Sequence, residues 1–176
     1  MDMQRRISSI AGCGLLLALI SAARFVVTGA HVPTSVHSEL EACSLLSGAD
    51  AAKALEVSSV TGKRMVDADP KGCIWSNDPA GSDTSRRVAV NTHSLRAFQF
   101  AMRPAITTIK VELVSGIGDE AFYQVYPSGG PFIWFRKGDT GVSIRILTRE
   151  TPTRPFTNEQ EKSKLAVLAK AVLAKL

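Results

Sequence analysis

A chain of 176 residues has room for one domain of ordinary size plus a targeting segment, enough to bury a core without help from metals. Its 21 Lys and Arg against 16 Asp and Glu give +5, but Arg5, Arg6 and Arg24 stand in the first thirty residues; beyond Ala30 the balance is 18 basic to 15 acidic. That modest surplus solubilises, and its dispersal excludes the basic face of a nucleic-acid binder.

Taken in order, Arg5 and Arg6 precede an uncharged run from Ile7 to Ala23 centred on Leu15-Leu16-Leu17-Ala18-Leu19-Ile20. A positive segment, an apolar segment and small residues describe a secretory signal peptide over residues 1–30, with Ser21-Ala22-Ala23 or Thr28-Gly29-Ala30 as cleavage sites. The alternative is an uncleaved anchor, which would be the chain's only membrane contact. Ile10-Ala11-Gly12-Cys13 has the outline of a lipoprotein box, but its apolar run follows the cysteine instead of preceding it. Arg5-Arg6 lacks the flanking residues of a twin-arginine signal. Export gives Cys43 and Cys73 a meaning: in an oxidising compartment an even pair implies a disulfide, whereas two reduced thiols would be small buried hydrophobes. The loop between them is about 30 residues, worth roughly 3.5 to 4 kcal/mol on the chain-entropy account.

Residues 31–41 carry Pro33, Thr34, Ser35 and Ser38 with no apolar period and read as a flexible spacer; His31 and His37 fall within it as solvated residues. Residues 42–176 read as a single domain. Ser47 caps a helix containing Ala51, Ala52, Ala54 and Leu55. A strand over Thr61–Val66 is broken by the turn-rich Asp67–Gly72, whose acids lack the spacing of a calcium loop. Cys73–Asn77 forms a second strand. Arg86–Thr92 alternates Val88 and Val90 with Arg87, Ala89 and Asn91, the period of a half-buried strand. His93 closes it as an exposed turn residue.

Ser94–Met102 reads as a helix stopped by Pro104, and Ile109–Val114 as a strand or a helical turn. Ser115–Tyr123 contains Gly116-Ile117-Gly118-Asp119-Glu120. It has neither the dinucleotide fingerprint nor the lysine of a nucleotide loop. Adjacent acids on a strand would point to opposite faces, so the spacing predicts a turn with a hydrogen-bonding acid instead of a carboxylate pair. Phe132–Arg136, a turn over Lys137–Gly141 and Val142–Leu147 form the clearest hairpin, its outer side made basic by Arg136, Lys137, Arg145 and Arg149. Thr151–Phe156 is a proline-bearing linker. Thr157 and Gln160 form a capping box for a last helix whose Leu165, Leu168, Val172 and Leu176 make one stripe suited to the protein's own sheet.

Cys43-Ser44-Leu45-Leu46, Cys73-Ile74-Trp75, Gly116-Ile117-Gly118-Asp119-Glu120-Ala121-Phe122, Arg136-Lys137-Gly138-Asp139 and a terminal Lys/Leu/Ala helix together resemble a loose group of small exported bacterial domains of unknown function, many of them actinobacterial lipoproteins. The resemblance implies a disulfide between the two cysteines and an α+β domain, and it carries no catalytic residues. The expected fold is α+β: a mainly antiparallel sheet of five to seven strands with the N- and C-terminal helices on one face. The expected function is a non-enzymatic exported module, periplasmic or extracellular, binding a protein, an envelope component or a small ligand, with no cofactor or metal. Trp75, Trp134, Arg136 and Arg145 are its candidate contacts. The alternatives are a small hydrolase using His93 with Asp119 or Glu120, and a membrane-tethered accessory protein.

Overall fold

The computed structural model describes residues 41–65, 71–80, 82, 85–127, 129–148 and 154–176. The leader with Cys13, most of the spacer, Asp67, Asp69 and Arg149 lie outside them. Among the described residues, four helices and seven strands follow one another as α1 (Ala42–Leu45), α2 (Gly48–Leu55), β1 (Thr61–Met65), β2 (Gly72–Ser76), β3 (Arg86–Ser94), α3 (Leu95–Ala101), β4 (Lys110–Val114), β5 (Glu120–Val125), β6 (Pro131–Lys137), β7 (Thr140–Thr148) and α4 (Asn158–Leu173).

The strands form one antiparallel sheet in the order β1-β2-β3-β7-β6-β5-β4. It is built from two meanders, β1 to β3 and β4 to β7, joined where β3 and β7 pair over nine residues from Arg86↔Thr148 to Ser94↔Thr140. These central strands are the ones whose alternation is plainest in the sequence. The β6–β7 hairpin is tighter than its glycines suggest: Lys137 pairs with Thr140, leaving Gly138 (φ 57°) and Asp139 as a two-residue turn.

Alternation along the strands divides the sheet into two unlike faces. One carries Cys73, Trp75, Val88, Val90, Ile133, Phe135, Val142 and Ile144, all buried. Against it lie Leu45, Leu55, Leu165, Leu168 and Val172 from α1, α2 and α4, equally buried. Each such side chain contributes on the order of 1.5 to 3 kcal/mol. Both longer helices on this face start as the residues dictate. Ser47 Oγ accepts from the Asp50 N–H, and Thr157 and Gln160 complete the reciprocal capping box. Cys43 in α1 is bonded to Cys73 in β2, with Sγ–Sγ 2.04 Å and Cα–Cα 5.0 Å, so a single helical turn is stapled to the sheet. Bonds of this kind persist in oxidising compartments and are rare in the cytosol.

The described residues cover the opposite face only in part. From the end of β3 the chain runs through α3, capped by Ser94, and then crosses by residues 102–109 to the far edge strand β4. Phe98 and Ala101 of α3 pack on Phe122, with Trp134 beside them, making a second, smaller cluster. The segment left open as strand or turn, Ile109–Val114, is strand from Lys110 onward.

Residues 154–156 depart from the linker expectation. Phe156 is buried, and Arg154 pairs with the wholly buried Glu161 of α4 at 2.7 Å. Among the described residues no helix is long and apolar enough to cross a membrane.

Candidate functional site

Outward-pointing residues of the central strands, with α3 above them, build the broad surface of the sheet that, among the described residues, the long helices do not seal. On β5 the alternation that sends Ala121 and Tyr123 into the main core sends Phe122 and Gln124 to this face, and Tyr126 follows just past the strand. Gln124 is buried and organises the neighbourhood: its Nε2 donates to the Ala101 carbonyl at the end of α3. Its Oε1 accepts from Trp134 Nε1 at 3.1 Å and from the Tyr126 hydroxyl at 3.3 Å. One amide thereby fixes the helix and two aromatic walls. Gln124→Leu strands the Trp134 donor and the Ala101 carbonyl, so we expect a loss of about 1 to 3 kcal/mol and a changed Trp134 emission, read by thermal melts and fluorescence.

Between α3 with its following segment and the sheet lies a cleft of about 920 Å³, within the range of about 300 to 1,000 Å³ common for small-molecule sites. Trp134, Tyr126 and Gln124 line it from the sheet, and Phe100, Arg103 and Ile106 from above. Phe100 is 74% and Ile106 61% exposed, large apolar side chains with little to cover them. Among the described residues, arginines are the only charged residues in the lining.

Beside the cleft, Arg145 of β7 and Arg87 of β3 share this face. Arg145 pairs across the sheet with Ala89 and Phe132, and Arg87 with Leu147, so the two arginines are diagonal neighbours. The Arg145 guanidinium lies over the Phe132 ring at 5.2 Å, and Tyr126 packs against the same ring at 5.1 Å. Burial, and after it the like charge of Arg87, hold Arg145 below the ordinary arginine value. The Nε of each is shut off from solvent with no acceptor.

The four contact residues expected from sequence have separate fates. Trp75 is 4% exposed on the opposite, sealed face, its ring packed beside Gly62, and is a core residue. Trp134 stands in the cleft wall, half-buried. Arg136 is committed within the protein, its Nε to Glu120 at 3.0 Å and its Nη1 to Asp119 at 3.4 Å and the Gly138 carbonyl at 3.2 Å. Arg145 shares the open face with Trp134 and, unlike Arg136 on the same face, has no acid beside it among the described residues. No family model, curated protein or solved structure matches this chain.

Asp119 and Glu120 converge on one guanidinium because Asp119 precedes the strand, where its carboxylate also accepts from the Gly138 N–H at 2.7 Å. Asp119 is thus the hydrogen-bonding acid of a turn, as the spacing predicts, and the turn is what lets both acids reach Arg136. Gly118, at φ 61°, makes the turn possible, since an added Cβ would meet the Arg136 carbonyl.

His93 is not the exposed end of its strand. It lies inside β3 opposite Gly141, with its ring 4.5 Å from that of Trp134 and Nε2 2.8 Å from Ser143 Oγ. Three strand spacings separate His93 from Glu120 along the row His93, Gly141, Arg136, Glu120, about 14 Å at ordinary inter-strand distances. The structure thus joins His93 to a hydroxyl and keeps it from the two acids. Among the described residues no group of three or more His, Cys, Asp or Glu side chains could hold a metal ion.

Three parts of this face escaped the sequence reading. Gln124 sits in a stretch whose neighbours are all apolar or aromatic, and a polar residue there was the available signal. The strand period sets Arg87 on the face opposite Val88 and Val90, but its meeting with Arg145 depends on the β3–β7 pairing between distant parts of the chain. The cleft depends on where the crossover runs, which local pattern does not encode.

Proposed function

We propose that the protein is an exported, non-enzymatic binding module, periplasmic or extracellular, that takes a protein, an envelope component or a small ligand on the open face of its sheet. Its likeness to small exported bacterial domains agrees with that assignment, and so does a disulfide suited to an oxidising environment. One observation carries the reading: the helices seal one face, while the other holds a cleft walled by Trp134 and Tyr126 and overhung by exposed Phe100 and Ile106. Exposed apolar side chains around a concavity mark binding sites more often than isolated ones do.

The hydrolase alternative draws on the 2.8 Å contact between His93 and Ser143. It is the weaker reading because Ser143 is 4% exposed and Asp119 and Glu120 are bonded to Arg136 instead of to His93. A tethered accessory protein would use the same face and differs only in its N-terminus, which the mass of protein recovered from cells decides.

The oxidised protein, used as bait in an envelope extract beside its Phe100→Ser/Ile106→Ser variant, tests the reading. Both positions are exposed, so the variant should fold as the wild type does. We expect a molecule retained by the wild type and lost by the variant; equal retention, or none by the wild type, refutes an open-face site.

A further inference from the structure

Two half-buried arginines side by side on a sheet are costly unless something negative lies with them. Most of the other basic residues with buried stems on this molecule have an acid: Arg136 has Asp119 and Glu120, Arg154 has Glu161, Lys162 has Glu112 and Glu159, Lys164 has Glu56. Arg87 and Arg145 have none among the described residues, although their backbones hold them on adjacent central strands. Diagonal cross-strand neighbours stand about 7 to 8 Å apart at their Cα atoms, a separation that two long guanidinium side chains can close on one anion. The rigid fork of each suits the paired oxygens of a carboxylate or a phosphate.

The surroundings say what else such an anion carries. Phe132 underlies Arg145, Tyr126 packs on Phe132, and Tyr126 is itself a wall of the apolar cleft. The path from charge to cleft is therefore an unbroken aromatic floor. Continuing inward it reaches Trp134 and the exposed Phe100 and Ile106, with no acidic side chain among the described lining residues to repel a negative ligand. We propose that the open face binds an amphiphilic anion, its carboxylate or phosphate head between Arg87 and Arg145 and its apolar body along Tyr126 and Trp134 in the cleft. The inference rests on the open-face reading and narrows its ligand.

Calorimetric titration of the oxidised full chain tests it, with sodium laurate, dodecyl phosphate, the uncharged dodecyl maltoside and inorganic phosphate, each below any micelle-forming concentration. Laurate or dodecyl phosphate should bind at least tenfold more tightly than dodecyl maltoside or inorganic phosphate, and the stronger of the two identifies the head group. Arg87→Gln/Arg145→Gln should weaken that binding tenfold or more. Because it removes two unpaired charges, its melting temperature should be no lower than that of the wild type. Arg136→Gln, whose charge is satisfied internally, should retain wild-type affinity. Charged and uncharged amphiphiles binding alike, with loss in Phe100→Ser/Ile106→Ser, would overturn the anion while keeping the open face. Failure of both anionic probes to bind, or unchanged affinity in the double arginine variant, would overturn the inference outright; the envelope capture separately decides whether the face binds anything.

Discussion

Replacing Arg154 with alanine is expected to lower unfolding stability by about 3 to 4 kcal/mol at neutral pH, within the range for breaking a buried ion pair. Glu161 is wholly buried, and one of its carboxylate oxygens accepts from Arg154 at 2.7 Å while the other has no donor. Burial pushes its carboxyl above the ordinary glutamate range, against the pull of the Arg154 charge. Without Arg154, the carboxylate must stay charged in the core or take up a proton. Because the folded-state value is raised, Glu161 favours the fold fully below its ordinary value near 4.5, and that favour is lost as pH rises through the folded value. Removing Arg154 raises the folded value further, so the gap between variant and wild type should shrink as pH falls. Thermal melts across that range check the sign, with 1 kcal/mol corresponding to roughly 3 to 5 °C for a domain of this size. An Arg154→Met/Glu161→Leu double variant should recover most of the loss, since well-packed apolar residues replace such a pair at little cost.

Removing the crosslink should have an effect of similar size. Cys43 and Cys73 are 30 residues apart in sequence, and the unfolded chain regains about 3.5 to 4 kcal/mol of loop freedom when they are unlinked. Cys73 is also fully buried among the core residues beside Trp75 and Val90, so Cys43→Ala/Cys73→Ala loses some packing as well. Denaturant melts of this variant, and of the wild type with reductant, should agree to within that packing difference. A wild type indifferent to reductant would contradict the account of its stability.

These two features differ in how far the amino-acid sequence discloses them. The crosslink was legible because only two cysteines lie beyond the segment that reads as a leader, which leaves one pairing. The hairpin at Gly138-Asp139 and the capping box at Thr157 and Gln160 were legible because their chemistry is local. The Arg154–Glu161 pair was not: Arg154 stands between two prolines in what reads as a linker, and Glu161 looks like a solvated first-turn acid of α4. What buries it is the close passage of Gly130, where an added Cβ would strike the Glu161 carboxylate. The same limit applied to the open face. Arg145 and Trp134 could be nominated singly, but Arg87 joins them only through a strand pairing between distant parts of the chain, and Gln124 only through a helix that crosses the sheet.

That division of the sheet into a sealed and an open side is the premise on which the functional proposals stand. Backbone amide shifts of the isotopically labelled, oxidised protein, followed while dodecyl phosphate or laurate is added, test it most directly. The account predicts changes at Arg87, Tyr126, Phe132, Trp134 and Arg145 and along α3, with α2 and α4 silent. Changes centred on α2 and α4, or none at saturating ligand, would contradict it.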